Sequence, residues 1–288
     1  MKRIDQVTDL RQALTQHRRR GQSIAFVPTM GNLHAGHIKL VEEARSHADI
    51  LVVSIFVNPL QFASNEDLDS YPRTLAEDTR KLQSATCDYL FTPTVEEMYP
   101  RSIEPHTLVS VPELSDVYCG RSRPGHFVGV ATVVCKLFNM VQPDIAVFGL
   151  KDYQQFMVIT RMVDDLCIPM HIIGVETQRE AGGLALSSRN SYLTPDEKVR
   201  AVALFRTLCD AAAQLQEGTT IPVCQSRATA NLLAAGFIPD YFAICDAHTL
   251  APATVTDRNL IIIAAAWMGK TRLIDNIRLQ LNAPDPAL

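Results

Sequence analysis

The chain has 288 residues, of which 47% are apolar and 20% charged, a balance that supports a packed core and excludes a disordered chain. Lys and Arg number 27 against 31 Asp and Glu, a net charge of −4, which excludes a general nucleic-acid binder resting on excess cationic side chains. A local anion site stays open.

The basic run Arg18-Arg19-Arg20 closes an early helix, where cations complement the helix dipole. Residues 24–28 (IAFVP) read as a strand, 36–47 as a helix with Ile38, Leu40, Val41 and Ala44 on one side, and 49–58 (DILVVSIFVN) as a second strand. A helix over 71–84 carries Leu75, Ala76, Thr79 and Leu82 at helical spacing, and 88–91 (DYLF) is a strand. The apolar segment 126–142 is helical, 145–148 (IAVF) is a strand, 152–166 a helix and 171–175 (HIIGV) a strand. Short, nearly all-apolar strands separated by helices are the pattern of parallel strands buried on both faces. The expectation is an α/β protein: a doubly wound, Rossmann-like parallel sheet over residues 1–176. A smaller α+β domain is expected over 177–288. It opens on Thr194-Pro195-Asp196-Glu197, a Thr N-cap with Pro at the first helical position, starting a helix to about Gln216 that Gly218 ends. Strand-like 241–245 and 259–264 follow.

The longest notable apolar run, 260–268, is about half of what a bilayer span needs, so no membrane partner is expected. Met1-Lys2-Arg3-Ile4-Asp5 meets an acidic residue at once and has no apolar stretch behind it, so no signal peptide is expected. The seven cysteines are odd in number and scattered, with no C-x-x-C pair, as suits reduced thiols in the cytoplasm.

Four stretches carry chemistry. The first, Pro28 to His37 (PTMGNLHAGH), leaves a buried strand and enters a helix. Gly31 and Gly36 permit a tight backbone, the helix N-terminus favours phosphate, and His34 and His37 can face one ligand together. The plain alternative is a turn with two incidental histidines. The second, Leu186-Ser187-Ser188-Arg189-Asn190, sets two hydroxyls beside a guanidinium, a phosphate-binding loop or a polar linker. The third, Gly149-Leu150-Lys151-Asp152-Tyr153-Gln154-Gln155, follows a strand, where open α/β sheets bind ligands. There Lys151 suits phosphate, Asp152 ribose hydroxyls and Gln155 a polar substrate, unless the stretch is an ordinary helix start. The fourth, Asn58-Pro59-Leu60-Gln61, places two amides at a strand end, suited to hydroxyl and carboxylate recognition. Glu77 and Asp78 are either Mg²⁺ candidates or a solvated helix face. The turn Arg121-Ser122-Arg123-Pro124-Gly125-His126 is a candidate for the phosphate side.

Taken together the motifs resemble the pantothenate synthetase (pantoate–β-alanine ligase) family of the nucleotidylyltransferase superfamily. The matching stretches are VPTMGNLHAGH at 27–37, VSIFVNPLQF at 53–62, YPRT at 71–74, RPGHFVGV at 123–130, QPDIAVFGLKDYQQ at 142–155, GLALSSRNSYLT at 183–194 and AAAWMGKTRLIDN at 264–276. They fall in order over nearly the whole chain.

The resemblance implies a cytoplasmic, homodimeric ligase of coenzyme A precursor biosynthesis. ATP, with Mg²⁺, activates pantoate as pantoyl adenylate with release of pyrophosphate; β-alanine then displaces AMP to give pantothenate. By the same resemblance Met30, Gly31, Asn32, Leu33, His34, Ala35, Gly36 and His37 hold ATP, with His37 acting as acid at the leaving group. Gly149, Leu150, Lys151 and Asp152 bind ribose and phosphate, and Leu186, Ser187, Ser188 and Arg189 bind the triphosphate. His34, Lys151, Ser187, Ser188 and Arg189 join His37 in catalysis. Gln61 and Gln155 hold pantoate with Asn58 nearby, Gln61 also places β-alanine, and Asp78 is the Mg²⁺ candidate.

Two positions depart from the family pattern. Leu150 stands where an acidic residue is common before the lysine, and Ala35 where one is common between the histidines. Residues 178–182 match less clearly, which leaves adenine contacts there open. A nucleotidylyltransferase making a dinucleotide or CDP-linked product would share the histidine and serine motifs but would not need VNPLQF or DYQQ. A tRNA synthetase would carry a tRNA-binding module, and a silent ATP-binding regulator would lack His34, His37, Lys151 or Arg189.

Overall fold

The computed structural model describes residues 1–63, 66, 68–103 and 106–281. The chain forms two compact units, Met1–Leu150 with Gln155–Thr177, and Lys151–Gln154 with Gln178–Leu288. The tail of the expected second domain, residues 282–288, lies outside the described residues.

The first unit runs β1 (Lys2–Ile4), α1 (Val7–Arg19), β2 (Ile24–Thr29), α2 (Ala35–His47), β3 (Ile50–Ile55), α3 (Leu75–Ser84), β4 (Tyr89–Phe91), α4 (Val95–Met98), α5 (Cys119–Ser122), α6 (His126–Val141), β5 (Ile145–Gly149), α7 (Tyr153–Asp165) and β6 (His171–Val175). The first residues of α7 fall in the piece that groups with the second unit. All six strands are parallel, in the order β1-β4-β3-β2-β5-β6. Ile24, Ala25, Phe26, Val27, Leu51, Val52 and Val53 have no solvent exposure, as a sheet covered on both faces requires. Each large aliphatic side chain buried this way contributes about 1.5–3 kcal/mol. Alternation sorts the faces. Ala25, Val27, Leu51 and Val53 pack with Val41 and Ala44 of α2, whereas Phe26 turns to α6 and meets Phe138 edge to face at 6.4 Å. From β2 the chain builds outward through β3 to β4, then returns to place β5 on the other side of β2. The switch point therefore lies at the carboxyl ends of β2 and β5, where such sheets bind ligands.

Local chemistry sets the boundaries. The second strand ends at Ile55 rather than Asn58, because Pro59 opens a 3-10 turn, Pro59–Gln61, capped by the Asn58 side chain. The helix expected from residue 71 starts at Leu75; Pro72 keeps its predecessor out of helical geometry. Arg18 in the basic run is not merely solvated: its guanidinium donates to the carbonyls of Val141 and Gln142, the open end of α6.

The second unit carries α8 (Pro195–Ala201), α9 (Ala203–Gln216), α10 (Ile221–Ala234), β7 (Ile238–Asp246), β8 (Asn259–Met268) and β9 (Thr271–Gln280). Its antiparallel sheet has the order β7-β8-β9. Thr194 and Glu197 form a reciprocal capping box with Pro195 at the first helical position. The single helix expected to Gln216 is two helices. At Val202 the backbone takes φ −57° and ψ −26°, the tighter 3-10 value, and the helix restarts beyond it. Leu204, Leu208, Ala211 and Leu215 of α9 pack on Leu260, Ile262, Ala264 and Ala266 of β8 to form this unit's core.

Candidate active site

Strand β2 delivers the chain into Met30–His37. Gly31 has φ +84° and Asn32 φ +51°, so two successive residues sit in left-handed geometry. A Cβ at Gly31 would come within 3.0 Å of Ile55 Cγ2 and 3.3 Å of Asp78 Oδ2, so glycine is required for space as well as conformation. Beyond the turn, His34 is the N-cap of α2. Its Nδ1 accepts from the Gly36 N–H at 3.1 Å, and His37 Nδ1 accepts from the His34 N–H at 3.2 Å. A backbone N–H can only donate, so neither Nδ1 carries a proton. Each neutral ring must hold its proton on Nε2. The two rings lie 4.1 Å apart, centroid to centroid, tilted by 43°. The helix N-terminus thus carries two imidazole Nε2–H donors, an arrangement suited to an anion.

Asp78, the Mg²⁺ candidate, has no solvent exposure. Its Oδ1 accepts from Leu33 N–H at 2.8 Å, and its Oδ2 from Asn32 N–H at 2.9 Å and the Thr74 hydroxyl at 3.1 Å. Mg²⁺ needs octahedral space and keeps much of its water, and a buried carboxylate filled from inside the protein does not fit that demand. Among the described residues no group of three or more His, Cys, Asp or Glu side chains could hold a metal ion. In this structure both oxygens of the Asp78 carboxylate are committed to the Met30–His37 loop backbone and to Thr74. Lys81, one turn further along α3, donates to the Leu33 carbonyl at 2.6 Å and pairs with Glu77 at 2.7 Å.

Gln61 is buried at the 3-10 turn after β3, and its Nε2 lies 2.7 Å from Met30 Sδ, which joins this amide to the histidine loop. Asn58, expected near pantoate, is 1% exposed. Its Oδ1 accepts from the Tyr99 hydroxyl at 2.7 Å and from Leu60 N–H at 3.3 Å, and its Nδ2 donates to the Gly129 carbonyl at 3.1 Å and to Gln61 Oε1 at 3.3 Å. Every hydrogen-bonding position of the Asn58 amide is matched within the protein, so in this geometry it orients Gln61.

The Arg123 turn, a candidate for the phosphate side, instead braces the Gln61 main chain. His126 Nδ1 donates to the Gln61 carbonyl at 2.8 Å, and Arg123 donates to the same carbonyl at 3.3 Å and to His126 Nε2 at 3.0 Å. Glu66 binds the Arg123 guanidinium through both carboxylate oxygens. Burial pushes the Glu66 carboxyl up, but the hydrogen bonds and charge of Arg123 outweigh it and hold the group below its usual range.

Leu150, in the position where the family pattern has an acid, is buried, and a Cβ on Gly174 would come within 2.6 Å of its Cδ2. The departure is an apolar side chain in an apolar niche. Gly149 ends β5 and Gln155 is half-buried in the first turn of α7. In the second unit Lys151 Nζ lies 3.8 Å from Asp152 Oδ2, and Asn276 donates to the Lys151 carbonyl at 2.9 Å. Ser187 caps the turn Ser188–Tyr192, and Asn190 Nδ2 ties back to the Ala185 carbonyl at 3.0 Å. Leu186 N–H donates to the Gln178 carbonyl. Arg179 anchors this stretch by a bidentate pair to Asp275, at 2.6 and 2.9 Å, with its guanidinium 3.5 Å above the Phe205 ring.

Sequence reading placed His34, His37, Gln61 and Gln155 at strand ends and helix starts of the first unit, where they stand. It missed Thr74, Lys81 and Tyr99. The spacing of Thr74, Asp78 and Lys81, one helical face, was the available signal.

The chain as a whole is similar to known proteins. The family model described as pantoate-beta-alanine ligase matches residues 2–278. A pantothenate synthetase from Shewanella amazonensis is 57% identical over 271 residues, covering 94% of this chain and 96% of that protein. One from Pseudomonas putida is 57% identical over 282 residues, 98% of each. The crystal structure of pantothenate synthetase from Thermus thermophilus has a TM-score of 0.91 at 44% identity, covering 96% of this chain and 99% of that one. A pantoate-beta-alanine ligase from Francisella tularensis, solved in complex with beta-gamma ATP and beta-alanine, has a TM-score of 0.81 at 34% identity, covering 96% and 97%. With the family model matching residues 2–278 and these relatives covering nearly its full length, the chain belongs to the pantoate–β-alanine ligase family.

Proposed function

We propose that the chain condenses pantoate with β-alanine through pantoyl adenylate. A carboxylate is a poor acylating agent. Its oxygen attacks the α-phosphorus of ATP, the bond from that phosphorus to the bridging oxygen breaks, and pyrophosphate leaves. The neutral amine of β-alanine then attacks the acyl carbon, the carbon–oxygen bond to phosphate breaks, AMP leaves and the nitrogen loses one proton. Neither step needs a covalent nucleophile from the protein; both need positioning and charge neutralisation.

The observation that carries this reading is the pair of Nε2–H donors on His34 and His37 at the start of α2, joined through Met30 to the buried amide of Gln61. In this assignment Met30, Gly31, Asn32, Leu33, Ala35 and Gly36 shape the nucleotide loop and His34 and His37 donate to phosphate oxygens. His37 stabilises the departing pyrophosphate. Gly149 and Leu150 offer backbone, Lys151 offers positive charge, and Asp152 accepts from ribose hydroxyls. Leu186, Ser187, Ser188 and Arg189 are assigned to the triphosphate, with the guanidinium suited to bidentate phosphate contacts. Gln61 and Gln155 hold pantoate, and Gln61 also places β-alanine. Mg²⁺ bound with ATP would neutralise charge on the phosphates as pyrophosphate leaves.

Family resemblance also supports a cytoplasmic homodimer formed through the first unit, which light scattering on the purified protein tests. Among the described residues no helix is long and apolar enough to cross a membrane. The reaction is tested by following pyrophosphate and AMP separately with ATP, Mg²⁺ and pantoate, with and without β-alanine. Steady AMP release that requires both substrates supports the ligase; steady turnover with pantoate alone contradicts the choice of amine.

A further inference from the structure

The backbone amides from Asn32 to His34 are aimed in succession at side chains. Asn32 and Leu33 donate to Asp78, and His34 donates to His37 Nδ1. The turn that makes this possible is left-handed at both Gly31 and Asn32. Consecutive N–H groups in such a turn form an anion-binding nest, and here the nest is filled by a carboxylate of the same chain. Thr74 Oγ1 fixes that carboxylate from its own helix, and Lys81 holds the Leu33 carbonyl at the opposite end of the same residue. Helix α3 therefore grips the nucleotide loop by a donor and an acceptor one residue before the first histidine.

We propose that Asp78 is a positioning residue whose grip on Asn32 and Leu33 sets the His34 N–H against His37 Nδ1, and so fixes the proton of His37 on Nε2. The assignment replaces a metal-ligand role for Asp78. It rests on the reading of Met30–His37 as the ATP loop only for its kinetic consequence; the tautomer is a property of the ligand-free protein. Asparagine in place of Asp78 turns one acceptor oxygen into an NH₂ group facing a backbone N–H, donor against donor. The Asn32–Leu33 peptide is then pushed out of place, and the Leu33–His34 peptide beyond it, held only at its carbonyl by Lys81, tilts so that the His34 N–H loses its aim.

The test uses the full-length protein with ring ¹⁵N labelling of histidine. In the wild type, without ATP, the His37 signals are those of the Nε2–H tautomer; in Asp78→Asn they shift toward a mixture of tautomers. In kinetics, Asp78→Asn raises KM for ATP about tenfold at saturating Mg²⁺, the size expected when a buried donor loses its partner. The Mg²⁺ concentration for half-maximal rate stays within about twofold of wild type, because phosphates and water supply the ligands. A tenfold shift in that Mg²⁺ concentration with an unchanged tautomer overturns the proposal in favour of a metal ligand. An unchanged tautomer with unchanged kinetics overturns it as well. If Asp78→Asn does not fold, Thr74→Val, which loosens the carboxylate, and Lys81→Met, which frees the Leu33 carbonyl, are expected to move the tautomer and KM in the same direction; no movement in either overturns it. Should the wild type prove not to bind ATP at this loop, the ¹⁵N comparison still decides the role of Asp78 while the ATP reading fails alone.

Discussion

Asn58 donates from its side-chain amide to Gln61 Oε1 at 3.3 Å, and that bond decides which end of the Gln61 amide is offered beyond it. With the oxygen engaged, the Nε2 end turns toward Met30 and the histidine loop. The amide is thereby presented as a donor, the form that suits a carboxylate substrate. Replacing Asn58 by Ala leaves the Tyr99 hydroxyl and the Gly129 carbonyl without this partner. The expected result is a stability loss of about 2–3 kcal/mol in urea unfolding and a KM for pantoate raised about tenfold, with KM for ATP nearly unchanged.

Gly129 lets α6 lie directly against the turn that carries Gln61. A Cβ there would come within 2.2 Å of the Leu60 carbonyl oxygen, which cannot yield without moving the turn. Gly129→Ala is expected to cost about 1–3 kcal/mol by overpacking and to raise KM for pantoate, measured by thermal unfolding and steady-state kinetics.

The Glu66–Arg123 pair gives this brace a pH dependence. A carboxyl held low in the folded state stabilises the fold above its unfolded pKa, near the ordinary value of 4.5, and that contribution is lost as pH falls through the lowered folded value. Wild type should lose stability, and affinity for pantoate, as pH falls below about 4.5, and Glu66→Gln should show a shallower dependence over that window. Parallel acid titrations of the two proteins by circular dichroism check this.

In the second unit, Asp275 has a side chain only 3% exposed and a bidentate partner in Arg179. Removing one member of such a pair leaves an uncompensated buried charge. Arg179→Met should destabilise by about 3–5 kcal/mol, and the double variant with Asp275→Asn should recover much of it. Chemical denaturation of the single and double variants measures the difference.

His37→Ala should lower kcat by about 10²–10³, the usual effect of deleting a donor that stabilises developing charge, while the fold persists. Gln155→Ala should act mainly on KM for pantoate. Pre-steady-state release of pyrophosphate separates the two effects.

The central strands, the helix after β2 and the start of α8 were legible because their signals are local: short all-apolar runs, glycines at a strand end, a proline after a threonine. β1 was not, since three residues with only Ile4 buried carry no pattern above background. β9 does not alternate apolar and polar residues, since Leu273-Ile274 is followed by Asp275-Asn276, and Asp275 is buried by its pairing with Arg179. In the site, the histidines and glutamines were legible as residue types at strand ends. The work of Asp78, Asn58 and Arg123 was not. Asp78 lies 45 residues from Leu33, and Arg123 lies 62 from Gln61, so their partners exist only once the sheet has brought the segments together. An acidic pair on a helix looks like a metal ligand or a solvated face until its burial is known.

The most direct test of the account is exchange of labelled pyrophosphate into ATP, catalysed by the wild type without β-alanine. The adenylate route predicts exchange that depends on pantoate and falls in His37→Ala. Absence of exchange with pantoate present, while AMP forms once β-alanine is added, would contradict a reversible first step and with it the central claim.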